Sequence, residues 1–114
     1  MTHIVRCFNQ KALDFLNDLL FTFPDDDELR MLKSAFLVST SHDASEPIRQ
    51  FVVHVVPFSD LILKRDADAF FSGSGVDNQI VQKIGHHWDV MSESDRESSW
   101  SVLQLLLALA QKYS

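Results

Sequence analysis

Cysteine is nearly missing from this 114-residue chain, where Cys7 stands alone. An internal disulfide framework and a cysteine-rich zinc site are therefore excluded. Such sparse usage fits a reducing compartment. Glycine and proline are scarce too, at three residues each, which disfavours a turn-rich sandwich or barrel. Long apolar runs are lacking: the longest, Leu105 to Ala110, falls far short of the roughly 20 residues a membrane span needs. The opening residues Met1 to Phe8 show no charged stretch followed by an apolar one, so no secretory signal is expected and an intracellular location is. Neither a glycine at position 2 nor a prenylation motif is present, so no membrane is expected among the partners. Positive charge is also short, with 10 Lys and Arg against 16 Asp and Glu and a net charge of −6. Such a field repels phosphate, and Lys64-Arg65 is the one adjacent basic pair. Nucleic acid is accordingly not the expected partner.

What the chain does have is apolar bulk. Leu, Val, Phe and Ile make about a third of it, whereas a disordered chain holds under about a fifth. The length suits one domain over residues 1–114, large enough to bury a core without staples. Between Phe8 and Phe23 the apolar residues Phe8, Ala12, Phe15, Leu16, Leu19, Leu20 and Phe23 recur in helical steps, which predicts a helix stopped by Pro24. Asp25-Asp26-Asp27-Glu28 then opens a second helix to about Val38, since carboxylates suit the positive end of a helix. Ser39 to Asp43 reads as a polar loop.

Ser45-Glu46-Pro47 starts a third helix, with proline in the first turn where its missing N–H is harmless. The β-branched run Phe51 to Val56 is also compatible with a strand. No comparable partner strand appears elsewhere, so helix is expected until Pro57. Short helical turns follow at Ser59 to Leu63 and at Asp66 to Phe71, with Phe70 and Phe71 turned inward. Ser72-Gly73-Ser74-Gly75 is a flexible break. Val76 to Trp88 forms the next helix. Ser92 and Asp95, at capping-box spacing, open a last one running to about Tyr113. The predicted fold is all-α, a compact bundle of about five to six short helices.

Chemistry-bearing motifs are few. His3, His42, His54, His86 and His87 include no i, i+4 pair of the kind used by helical zinc sites. The adjacent His86 and His87 point about 100° apart on a helix. The acidic run Asp25 to Glu28 lacks the alternation and the central glycine of a calcium loop. No Gly-x-Ser-x-Gly elbow and no phosphate-binding loop is present. No catalytic, cofactor-binding or metal-binding residue is assigned, and no enzyme is expected.

Two features suggest a protein partner instead. Trp88 and Trp100 flank the last helix boundary and either pack together across the turn or anchor a partner. In the last helix Trp100, Leu103, Leu106, Leu107 and Ala110 form one stripe, and Val102, Leu105 and Leu109 form a second. A helix apolar on two faces is either central in the fold or shared with a second molecule. The expected interface is therefore Trp88, Trp100, Val102, Leu105 and Leu109, with a symmetric homodimer as the simplest closed solution.

The residues also carry a likeness as a set. Phe8, Ala12-Leu13, Phe15-Leu16, Asp18-Leu19 and Phe23-Pro24-Asp25-Asp26 come first, with Leu29 and Lys33 after them. Phe51, Val56-Pro57-Phe58-Ser59-Asp60, Ile62, Arg65-Asp66, Asp68 and Phe70-Phe71 follow. Trp88, Met91-Ser92, Arg96, Trp100, Leu103-Gln104 and Leu106 complete it. This order resembles a family of small uncharacterised proteins of large nucleocytoplasmic DNA viruses of protists and algae. Their shared features are a leading helix ending in Phe-Pro-Glu/Asp-Asp, an Arg-Asp-Glu-x-Phe-Phe segment and a closing helix with Trp-x-Tyr-Leu-Gln. Ala67-Asp68 and Ser101-Val102 depart from that pattern. The resemblance implies a viral setting, in the virion or the host cytoplasm, and brings no catalytic residue. A small helical protein-interaction or structural module is the leading expectation, ahead of a nucleic-acid-associated viral regulatory factor.

Overall fold

The computed structural model describes residues 2–114. Within them every regular element is helical, and no strand occurs. Helix α1 spans His3–Thr22, α2 Asp27–His42, α3 Glu46–His54, α4 Ser59–Lys64, α5 Gln79–His87 and α6 Glu93–Tyr113. A π-helix over Asp68–Gly73 makes seven helices where five to six were expected, and 3-10 turns lie at Val56–Phe58 and Trp88–Val90. The Phe51 to Val56 ambiguity resolves as helix to His54, then a turn around Pro57.

Several boundaries move for local reasons. Helix α1 starts five residues ahead of Phe8, because Thr2 caps it by accepting from the Val5 N–H at 3.3 Å and because Val5 extends the buried stripe. The expected loop at Ser39 to Asp43 is instead the last turn of α2 as far as His42. There the hydroxyls of Thr40 and Ser41 donate to the carbonyls of Leu37 and Val38 at 3.0 and 2.8 Å. Polar side chains that bond back onto the helix need not end it. The expected break at Ser72 to Gly75 shrinks, since Ser72 and Gly73 belong to the π-helix and Gly75 alone takes a positive φ, +67°. Helix α5 begins at Gln79 rather than Val76, because Asn78 Oδ1 accepts from the N–H groups of Ile80 and Val81. Ser92 caps α6 as its spacing predicts, accepting from the Asp95 N–H at 3.1 Å.

The buried side chains form one continuous cluster. Phe8, Phe15, Leu16 and Leu19 of α1 face Leu103, Leu106 and Leu107 of α6, while Leu29, Phe36, Ile48, Phe51, Ile62, Phe70 and Ile84 close it from the other elements. Helix α6 is the central element, packed on α1, α3, α4 and the Val56–Phe58 turn. Helices α2 and α5 meet only loosely at the rim. That loose junction positions the site described next.

Candidate functional site

The carboxylates at the start of α2 do not all do the same thing. Asp26 is the N-cap, and its Oδ1 accepts from the Leu29 N–H at 3.0 Å. Lys83, arriving from α5, places Nζ 3.0 and 2.8 Å from the two Asp26 oxygens. His87, one turn further along α5, places Nε2 2.7 Å from Asp26 Oδ2. The three side chains are only 10 to 13 % exposed. Phe23 covers the imidazole of His87, stacked at 3.8 Å between ring centres and 8° between planes. Glu28 reaches Lys83 from the solvent side at 3.3 Å. By contrast, Asp27 pairs with Arg30 in an exposed contact.

Burial by itself would raise the Asp26 carboxyl, but hydrogen bonds from Lys83, His87 and the Leu29 backbone outweigh it and hold the group far below its ordinary range. Burial likewise disfavours the Lys83 ammonium, yet hydrogen bonds to Asp26 and Glu28 raise its pKa above the usual lysine value. Each partner thus stabilises the other's charge. The cluster clamps α5 to the start of α2.

Beside the clamp, a groove with two adjoining wells runs along α2. The first, of about 520 Å³, lies between α2 and α5 over Met31, Leu32, Ala35, Gln79, Gln82 and His86. The second, of about 410 Å³, reaches α3 at Pro47, Gln50 and Phe51 and includes Phe36 and Ile80. Leu32, Ala35 and Gln79 belong to both and form the ridge between them. Met31, which lines the first well, is 70 % exposed. Apolar side chains at a concave, polar-rimmed surface are the usual mark of a recognition site.

The residues expected at an interface are distributed differently. Trp88 and Trp100 pack against each other, edge to face at 5.4 Å. Both also touch Phe71, at 4.8 and 5.6 Å. Trp100 is buried within the core. Trp88 is half-buried beneath Arg96, whose guanidinium lies 5.2 Å from the ring centre and donates to the Trp88 carbonyl. Val102 and Leu109 are half-buried against the core, and Leu105 is the exposed member of its stripe. Asp26 and His87 stand in the acidic run and the histidine pair that the sequence points to, but neither pattern links them to each other or to Lys83. Lys83 and His87 do share an i, i+4 face, but their acceptor is 57 and 61 residues away.

Among the described residues no group of three or more His, Cys, Asp or Glu side chains is placed to hold a metal ion. None of their helices is long and apolar enough to cross a membrane. Comparison with protein-family models, curated proteins and solved structures gives no match to this chain.

Proposed function

We propose that this protein is a small protein-interaction module, working in the setting of a large DNA virus infection, and that its working surface is the groove between α2 and α5. The observation that carries the reading is the uncovered apolar face of α2, with Met31 and Ala35 exposed and Leu32 half-exposed above two adjoining wells. The resemblance to viral proteins supports the setting. The charge supports a protein over a nucleic acid: the net is −6, and Arg30, Arg49, Arg65 and Lys83 are each tied to a carboxylate.

The experiment is a peptide-display selection on the immobilised chain, with an Ala35→Arg variant as the counter-target. Ala35 lies on the ridge, so a long charged side chain there obstructs both wells. Enrichment of peptides that bind the wild type and not the variant supports the reading. Enriched peptides that bind both proteins equally would displace it.

A second reading, self-association through α6, rests on Leu105, which is 40 % exposed on the stripe it shares with Val102 and Leu109. Sedimentation of the wild type beside a Leu105→Glu, Leu109→Glu variant tests it. A dimer that the variant dissolves into a folded monomer supports a homodimer, and a wild type sedimenting at 13.0 kDa removes it.

A further inference from the structure

We infer, resting on the groove as the docking surface, that its occupant is a cationic amphipathic helix of a partner protein, with apolar residues in the two wells and Lys or Arg along its flanks. The shape argues for a helix. Two adjoining wells that share Leu32, Ala35 and Gln79 suit apolar side chains projecting from a single helical face. The walls are helices whose backbone groups are already paired internally, so the groove offers no ladder for an extended strand. A helical occupant satisfies its own backbone and needs only side-chain complementarity from the walls.

Charge argues for the sign. At the α2 end Glu28 lines the first well with its side chain 84 % exposed, and exposed Asp25 and Asp27, the latter paired with Arg30, lie just outside it. At the other end, the second well is bordered by Glu46 and by exposed Asp77. Lys83 is the one lysine lining either well among the described residues, and no arginine lines them. Its ammonium is already engaged by Asp26 and Glu28. Counted together with their paired cations, carboxylates stay in excess at both ends, Asp25, Asp26, Asp27 and Glu28 against Arg30 and Lys83 at one and Glu46 and Asp77 against Arg49 at the other, so an acidic helix meets like charge and a basic one opposite charge. Rim charges of this kind steer encounter and reject the wrong partner more than they add affinity.

The test uses designed peptides of about 18 residues, long enough to hold helical structure. One places Leu at helical spacing with Lys elsewhere. A second keeps the Leu pattern with Glu for Lys, and a third scrambles the Leu/Lys order. Binding is read by fluorescence anisotropy at about 0.15 M salt, where long-range attraction to the net charge is screened. The helical Leu/Lys peptide is expected to bind roughly tenfold or more tightly than either control. Ala35→Arg should weaken it by a similar factor, and Met31→Arg, at a position 70 % exposed, serves if the first variant fails to fold.

Equal or tighter binding of the Leu/Glu peptide overturns the cationic helix. Binding unmoved by the folded Ala35→Arg or Met31→Arg variant overturns it as well, by placing the peptide elsewhere. If display-selected peptides do occupy the groove while the Leu/Lys preference is missing, the interaction reading survives and this inference falls. A wild-type dimer dissolved by Ala35→Arg would make a second copy the occupant, which also overturns it.

Discussion

Asp26 bears two duties at once, capping α2 and neutralising Lys83. Removing it therefore costs more than removing any exposed neighbour. Asp26→Ala loses a cap and leaves the mostly buried Lys83 ammonium with only the exposed Glu28 as partner, which together should cost roughly 3 kcal/mol. Asp27→Ala removes only an exposed ion pair, and under about 1 kcal/mol is expected. Urea unfolding of the two variants checks the contrast. The pH dependence has a definite sign. Folding lowers the Asp26 pKa from its ordinary 3.8, so the stabilisation is present above that value and is lost as pH falls below it. Folding raises the Lys83 pKa above its ordinary 10.5, so that contribution is present below 10.5 and is lost as pH rises beyond it. Thermal melts of the wild type should fall on the acid side, below about 3.8, and Asp26→Asn should flatten that fall. At this scale the sequence was legible only in part. Four consecutive acidic residues announce a helix start, but local spacing cannot tell which one meets a lysine 57 residues away.

The elements read more easily, because their signals are local. The stripe of α1, the Ser92 cap and the proline-led start of α3 all appear where their residues place them. Misplaced boundaries share a cause: a side chain bonding to nearby backbone, as with Thr40 and Ser41 inside α2 and Asn78 ahead of α5. The π-helix was legible only as an inward-facing Phe70-Phe71 segment, since its wider turn depends on what it packs against. That packing is tight at Gly85 of α5, where an added Cβ would come within 3.2 Å of the Phe71 side chain. Phe71 has little room to yield, with Phe70, Trp88 and Trp100 around its ring at 5.1, 4.8 and 5.6 Å. Alanine normally gains about 1 kcal/mol over glycine inside a helix. Here Gly85→Ala should instead lower the melting temperature, and a clear rise would show that Phe71 moves freely.

For the whole molecule, one helix decides the architecture. The two apolar faces of α6 are used largely within the chain, because α1 packs on one side and α3, α4 and the Val56–Phe58 turn on another. A sequence can show that a helix is apolar nearly all round, but not how many neighbours the rest of the chain will supply. The groove is the opposite case: its walls come from α2, α3 and α5, and no continuous stretch of sequence contains it. Charge, by contrast, is a property of the whole and was readable from composition. With net −6 and Arg30, Arg49 and Arg65 paired on carboxylates, the protein should show no micromolar binding to duplex DNA at physiological salt. A filter or anisotropy titration showing tight binding that weakens steeply with salt would reverse that. The central claim is that α2 and α5 together form the working surface. Backbone amide NMR of the labelled protein, titrated with a display-selected peptide, tests it most directly. Shifts confined to Glu28 to Ser39, Glu46 to His54 and Asp77 to His86, and absent in Ala35→Arg, are the predicted result, whereas shifts centred on Leu105 and the exposed face of α6 would contradict it.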